Sequence, residues 1–249
     1  MSMVRTNHAA APLRGFAYAA GGLDFDNNLL RSVEKYDPRK DRWKMSKPLP
    51  APRAFAGAAT VKGRLYVAGG SLNAGTTRSV VVYNPRTNAW SSVAPMSIAR
   101  DRMRLLAAGP YLYAVGGLGV SGDALRSVDR YDPRTDSWRL IRPMNEARAV
   151  PGATTTRVHG KAVLVVAGGT HFTAGEFGGF TRTAEVFDIG TGRWRTLRAK
   201  LPKIVGSYSC ATTRNGTVLS IGGATMDEVG DFEFLDEVNA LTLRPKHLS

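Results

Sequence analysis

Arginine is the residue type best placed to do chemistry in this chain. Arg53, Arg100 and Arg148 each open a stretch rich in small and apolar residues, and Arg102 follows two residues after Arg100. A guanidinium presents N–H donors in a planar fork that matches a carboxylate, so the set points to recognition of acidic groups. Other chemistries find less support. The four histidines, His8, His159, His171 and His247, lie far apart, and no pair has the spacing of metal ligands on one strand or helix. Tyr208-Ser209-Cys210 invites comparison with a Tyr–Cys redox cofactor, but strand residues two apart cannot set a thiol against a ring in that way. Glu146 and Glu176 are the glutamates open to acid–base work in a polar pocket. Gly117-Leu118-Gly119-Val120-Ser121-Gly122 matches G-x-G-x-x-G after a strand, yet a further strand follows where a dinucleotide site needs a helix N-terminus. No metal and no cofactor is expected.

The elements that must hold the arginines recur. Double glycines stand at Gly21-Gly22, Gly69-Gly70, Gly116-Gly117, Gly168-Gly169 and Gly222-Gly223, successive pairs being 48, 47, 52 and 54 residues apart. A period of this size signals a solenoid, propeller or array. Within the units the spacing is stricter. Tyr36 to Trp43, Tyr83 to Trp90, Tyr131 to Trp138 and Phe187 to Trp194 are all seven apart, and Arg5, Arg53 and Arg100 each precede their first glycine by sixteen. Between aromatic and Trp run Asp37-Pro38, Asn84-Pro85 and Asp132-Pro133, the chemistry of a type I turn. In the fourth unit Asp188-Ile189-Gly190-Thr191-Gly192 keeps the turn with two glycines in place of the proline. Apolar stretches such as Arg64-Leu65-Tyr66-Val67-Ala68 run into the glycines as buried strands. The reading is all-β, each unit holding four strands, a to d, with repeats at approximately 5–52, 53–99, 100–147, 148–202 and 203–249 in a single domain. The glycines should end strand b where a side chain would strike a neighbouring backbone or the unit's Trp. The tryptophans should sit between sheets, and replacing a fully packed one by Ala would cost about 3–5 kcal/mol.

Composition narrows the function classes. Thirty-four Lys and Arg against twenty Asp and Glu give a net charge of +14, which suggests anionic partners. The bases, however, recur once or more in every unit, at turns, before strand c and at the start of strand a, a repetition rather than a clustered nucleic-acid patch. The stretch from Ala224 onward is acidic, with six acids against two bases. The lone Cys210 rules out an internal disulfide and suits a reducing, cytoplasmic setting. No secretory signal is expected, since Arg5 and Arg14 break the Ala-rich start, no apolar run reaches membrane-spanning length, and Asn215-Gly216-Thr217 reads as a hairpin turn.

The pattern GG, then Tyr-Asp-Pro, then Trp, with Pro95-Met96-Ser97-Ile98-Ala99-Arg100 and Pro143-Met144-Asn145-Glu146-Ala147-Arg148 opening later units, resembles the kelch repeat. The resemblance covers nearly the whole chain and is closest to the kelch domain of BTB-kelch ubiquitin ligase adaptors. It implies a kelch-type β-propeller of four complete four-stranded blades plus an incomplete fifth, because Leu241 takes the Tyr place and Leu248 the Trp place. It also implies that Arg53, Arg100 and Arg148 crown the central channel. Arginines near Pro95-Met96-Ser97-Ile98-Ala99-Arg100-Asp101-Arg102 would hold an acidic peptide of a partner protein. No BTB, BACK or F-box segment precedes Arg5, so a link to a cullin-RING ligase, or to actin, would come only through a further domain. Some kelch propellers are enzymes, copper oxidases and sialic acid mutarotases among them. The mutarotase type, acting on a small sugar, is therefore the alternative to a protein-binding role.

Alternating strand direction puts the b-to-c loops and the links between blades on one face. These loops vary in length, the fourth and fifth being longest, and variable loops are where recognition resides. They hold Phe172, Phe177, Phe180, Phe232 and Phe234, candidate anchors for a partner, with Phe25 in the first loop.

Overall fold

The computed structural model describes residues 1–249 except 159, 202–208, 214, 227–231, 242 and 244–249, and the backbone alone for 224–226 and 232–237. Among the described residues there are strands and turns and no helix. The first sheet is β1 (Ala9–Leu13), β2 (Phe16–Ala20), β3 (Val33–Asp37) and β4 (Arg42–Ser46). The second comprises β5 (Gly57–Val61), β6 (Arg64–Ala68), β9 (Val80–Asn84) and β10 (Ala89–Val93), with β7 (Ser71–Leu72) and β8 (Gly75–Thr76) as a small hairpin in its b-to-c loop. β11 (Arg104–Ala108), β12 (Tyr111–Val115), β13 (Val128–Asp132) and β14 (Ser137–Ile141) make the third. The fourth contains β15 (Gly152–Val158), β16 (Lys161–Ala167), β19 (Ala184–Asp188) and β20 (Arg193–Thr196), its loop forming the hairpin β17 (Thr170–Thr173) and β18 (Glu176–Phe180). The fifth sheet has three strands, β21 (Ser209–Thr212), β22 (Val218–Met226) and β23 (Phe232–Leu241). Each large sheet is ordered as an antiparallel meander, which is the blade of a β-propeller.

The chain divides into two compact units, Met1–Ala114 with Asp129–Arg139, and Val115–Val128 with Leu140–Ser249. In the first, β1 lies beside β5 and β5 beside β11; in the second, β15 lies beside β21. Within each unit the first strands of consecutive blades are therefore neighbours, and the cores form between those blades. Ala9, Ala11, Tyr18 and Val33 of the first sheet pack with Leu65, Val67 and Tyr83 of the second. Val61, Tyr66 and Val82 pack in turn with Met103, Leu112 and Tyr131.

The seven-residue spacing is a cross-strand pair. Tyr36 faces Trp43, Tyr83 faces Trp90 and Phe187 faces Trp194 across the c–d hairpin. Their rings, and those of Tyr131 and Trp138, sit 4.9 to 5.2 Å apart. The turn is closed by the expected side chain: Asp37, Asn84, Asp132 and Asp188 each accept the N–H two residues on, at 2.8 to 3.0 Å. Three tyrosine hydroxyls then donate to the residue before strand d, Asp41, Asn88 or Asp136, each of which has positive φ.

Every indole but the first reaches back to the preceding link. Trp90 Nε1 donates to the Lys47 carbonyl, Trp138 to that of Ala94 and Trp194 to that of Arg142, all at 2.9 Å. The double glycine works on the other side of the blade. Gly69 and Gly70 both take positive φ, and Gly70 N–H donates at 2.9 Å to the carbonyl of Arg100 in the next blade. A Cβ on Gly69 would run into that same carbonyl, so the backbone, and not the Trp, is what forbids a side chain there.

Candidate functional site

The arginines expected to crown the channel are instead internal struts. Arg53, Arg100 and Arg148 are buried, as is Arg5 at the same place in the first blade. Arg53 donates to the Gly69 carbonyl at 3.1 Å and to Ser79 Oγ at 3.2 Å. Arg148 donates to the Gly168 carbonyl at 2.9 Å and to Thr183 Oγ1 at 2.9 Å, and pairs with Glu185 at 2.8 Å. Arg5 reaches the Gly21 carbonyl at 2.8 Å and Glu34 at 2.9 Å. The physical reason is length. A guanidinium at the start of strand a reaches across to the carbonyl of its own blade's first glycine, where its terminal nitrogens find acceptors inside the blade and it is withdrawn from the surface. Burial pulls Arg53 down to about 10, and pulls Arg100 down to about 10 against the opposing charge of Asp129. These side chains stay cationic at neutral pH.

Two residues after each strut the backbone turns left-handed. Asn7, Phe55, Arg102 and Val150 have φ of 51°, 56°, 50° and 46°. In the first unit these positions are laced together, Phe55 N–H to the Asn7 carbonyl at 2.8 Å and Arg102 N–H to the Phe55 carbonyl at 2.9 Å. Non-glycine residues rarely sit at positive φ, and such strain gathers at binding sites. Arg102 is the expected arginine that keeps solvent access, its side chain 34% exposed. Its guanidinium carbon lies 4.1 Å from the Phe55 ring centroid, a cation–π stack, and one nitrogen is 3.0 Å from Asp101 Oδ1. Asp101 Oδ2 accepts from Ser71 Oγ at 2.7 Å and Thr76 Oγ1 at 3.1 Å, so the β7–β8 loop is tied to the same carboxylate that orients Arg102. Sequence reading named Arg102 but missed Phe55; the sign available was its position, two residues beyond a repeat arginine.

The second unit carries an aromatic hairpin. Phe172 and Phe177 face each other on β17 and β18 with ring centroids 5.9 Å apart, and Phe177 meets Phe180 edge-on at 5.1 Å. The rings pack on one another while Phe177 stays 39% exposed. The hairpin leans on the preceding b-to-c loop through Ala124 N–H to the Phe172 carbonyl at 3.0 Å and Ala174 N–H to Asp123 Oδ1 at 2.7 Å. His171, beside Phe172, sits 2.8 Å from Glu146, whose other oxygen contacts Arg148 and Thr183. Burial would raise the Glu146 carboxyl, but the Thr183 hydroxyl, Arg148, Thr181 and His171 together outweigh it and hold the group below the ordinary glutamate range. Phe25 projects alone at 88% exposure from the β2–β3 loop. Phe232 and Phe234 lie on β23 opposite Met226 and Ala224, and their side chains are outside the described residues. Glu176 opens β18 at the surface, and Cys210 lies on β21. Tyr208, His159 and His247 also fall outside the described residues.

Comparison with known proteins follows the same geometry. Residues 17–234 match the family described as Attractin/LZTR1 beta-propeller. The chain is 32% identical to mouse Kelch-like protein 35 over 84% of its length, and 33% identical to mouse Kelch-like protein 40 over 44%. It is 31% identical to Beta-scruin of Limulus polyphemus over 49%. It spans 34%, 18% and 14% of those three relatives, about a third of the first and less of the others. Among solved structures, YjhT superposes with a TM-score of 0.78 over 96% of this chain and 84% of its own, at 16% identity, a likeness of fold alone.

Proposed function

From the premise that this chain belongs to the kelch-type Attractin/LZTR1 β-propeller family, we propose that it is a non-enzymatic protein-interaction domain that captures a short acidic segment of a partner on its b-to-c loop face. The observation that carries this reading is the oriented Arg102: a part-exposed guanidinium stacked on Phe55 and fixed by Asp101. A cation held in place before binding loses little freedom on capturing a carboxylate. The second unit offers an apolar group of its own, the hairpin that clusters Phe172, Phe177 and Phe180, with Phe177 partly exposed. Arg53 and Arg100 brace the first unit from inside its blades, and Arg148 does so in the second.

The resemblance to BTB-kelch adaptors suggests a setting in the cytoplasm, in which the captured segment belongs to a ubiquitylation substrate or a cytoskeletal protein. Attachment to a ligase or filament would be the task of another domain. The reading is tested by affinity capture with the wild-type chain and with Arg102→Ala, prey being identified by mass spectrometry. A partner retained by the first and lost by the second supports it, and identical prey from both removes Arg102 from the site.

A second reading is favoured by one feature, the half-exposed Glu146–His171 pair at 2.8 Å, which could serve a sugar-converting enzyme as base and acid. Its weakness is that Glu146 is already engaged by Arg148 and Thr183. Titration with free sugars separates the two: saturable sugar binding that is lost in Glu146→Gln would favour the enzyme.

A further inference from the structure

Bases that are spread along the sequence gather in space at one end of the first two blades. In the first blade Leu13 faces Phe16, Ala17 faces Tyr36 and Asp37 faces Arg42, so the a-to-b and c-to-d turns lie together at one end. The second blade repeats this with Val61 facing Arg64, Leu65 facing Tyr83 and Asn84 facing Ala89. β1 lies beside β5, and Phe55 N–H bonds to the Asn7 carbonyl at 2.8 Å just before those strands begin. The turn ends of the two blades are therefore neighbours, at the opposite end from Phe55.

The turns of the first blade carry Arg14, Arg39, Lys40 and Arg42 against Asp37 and Asp41. Those of the second carry Lys62, Arg64 and Arg86 with no acid, which makes seven bases against two acids in all. All seven bases are exposed, and among the described residues none of them forms an ion pair.

The turns themselves favour charge over local fit. Arg14-Gly15 and Lys62-Gly63 close two-residue hairpins with positive φ at both places, 53° and 80° in the first and 49° and 69° in the second. Asn or Asp is the preferred first residue of such a turn, and both blades put a base there instead. Asn84 and Asn88 accept the Arg86 N–H at 3.0 Å and the Tyr83 hydroxyl at 2.8 Å, the bonds that Asp37 and Asp41 make in the first blade. The amides keep the turn and remove two negative charges. At the start of strand b, Phe16 is covered by the Lys35 ammonium at 3.5 Å from its centroid, and the matching place in the second blade is Arg64 itself. Each blade thus sets a cation at that level.

Charge chooses the occupant. A cluster of exposed, unpaired cations calls for a partner with dense negative charge. No large apolar side chain stands exposed in these turns to enter a bilayer, and the Phe16 ring is covered by Lys35 rather than open to a stacking base. We propose that the turn end of the first two blades is a second docking surface, which takes a segment of a protein partner rich in Asp and Glu. It lies at the other end of the blades from the Arg102 site.

The probe is a fluorescein-labelled oligoglutamate peptide, titrated by anisotropy at low salt into the whole chain carrying Arg102→Ala, so that the loop-face site does not contribute. Saturable binding is expected, weakened about tenfold or more when Lys62, Arg64 and Arg86 are all changed to Glu. The control makes as many reversals on the fourth blade, at the exposed Arg193, Arg195 and Arg198. It gives the chain the same net charge and should leave affinity within about twofold. If the triple reversal fails to fold, the milder pair Lys62→Gln and Arg86→Gln replaces it, with a loss of about threefold or more expected. No binding, or equal losses from the two sets of reversals, would overturn the proposal. Duplex DNA or phosphatidylserine vesicles that bind more tightly than oligoglutamate, and lose that binding in the same variant, would also overturn it, by making a nucleic acid or a membrane the occupant.

Discussion

Phe55 carries the guanidinium of Arg102 4.1 Å above the centroid of its ring, and both residues hold positive φ one blade apart. The stack fixes the direction of a cation that would otherwise sweep through solvent, while the buried Arg100 two residues earlier does different work. The two should separate on mutation. Arg102→Ala is expected to lower the melting temperature less than Arg100→Ala, because the buried Asp101 it unpairs keeps its bonds from Ser71 and Thr76, and to weaken an acidic peptide partner by about 1.5–3 kcal/mol, the range of a hydrogen bond to a charged group. Arg100→Ala is expected to lower the melting temperature clearly, because it leaves Asp129 buried without its counter-charge. Calorimetric titration and thermal unfolding of both variants provide the check.

The buried ion pairs differ among blades in a way that predicts stability. Glu34, Asp129 and Glu185 occupy one place, two residues before the c-strand aromatic, and the second blade has Val81 there. Each acid also accepts an N–H from the segment leading to its arginine: that of Ser2 for Glu34, Ser97 for Asp129 and Asn145 for Glu185. Where the acid is Val81, the residue aligned with Ser97 is Pro50, which has no N–H to give. Acceptor and donor disappear together. Glu185→Val alone therefore leaves both Arg148 and the Asn145 N–H short of a partner and should cost about 3–5 kcal/mol in urea unfolding.

Acid should act through the same pairs. Burial raises the Glu34 carboxyl, but the Ser2 hydroxyl and N–H and the Arg5 guanidinium outweigh it, and the group sits below its ordinary value of 4.5. A carboxyl lowered on folding contributes stability that is complete above the unfolded value and is lost as pH falls through the folded one. The urea midpoint should therefore hold steady from pH 7 to about 5 and drop below about pH 4.5. Glu34→Gln should flatten that drop while lowering the plateau.

Val150 holds φ at 46°, a β-branched residue in the left-handed region. That conformation costs about 1–3 kcal/mol for such a side chain, whereas Asn visits it readily and occupies the matching place in the first blade as Asn7. Val150→Asn is expected to raise stability by about 1 kcal/mol, measured as a shift of the urea midpoint at constant slope.

The repeat spacing contained the blade almost completely, because Asx turns and cross-strand aromatic pairs are local constraints that a single blade imposes on its own residues, while the glycines recur because a double glycine meets the matching carbonyl of the next blade. The site was legible only in part. Arg53 and Arg102 look equivalent as letters, and what separates them is a reach of several ångströms from the start of a strand to the carbonyl of Gly69, a distance set by the fold of the whole blade. Phe55 was overlooked because its role depends on the neighbouring blade, whose Arg102 takes its carbonyl and covers its ring. The loop phenylalanines were visible as residues, while the β17–β18 hairpin that clusters them arises from pairing across a loop whose turn no simple motif marks.

One pairing rule was written in the sequence and gains its meaning from the structure. Tyr36, Tyr83 and Tyr131 are followed five residues later by Asp41, Asn88 and Asp136, which accept their hydroxyls, whereas Phe187 is followed by Gly192. The blade that lacks the hydroxyl also lacks the acceptor, and its glycine takes the same positive φ, 66° against 50° at Asn88. A double-mutant cycle should reproduce that exchange. Tyr83→Phe strands the Asn88 amide, and Asn88→Gly strands the Tyr83 hydroxyl, each at about 1–2 kcal/mol. The combination Tyr83→Phe with Asn88→Gly converts the turn to the form already used in the fourth blade. It should therefore cost less than the two single changes together, by about 1 kcal/mol of coupling in urea unfolding. Strict additivity would mean that the hydroxyl contact contributes nothing to the blade, and that the shared loss in the fourth blade has some other origin.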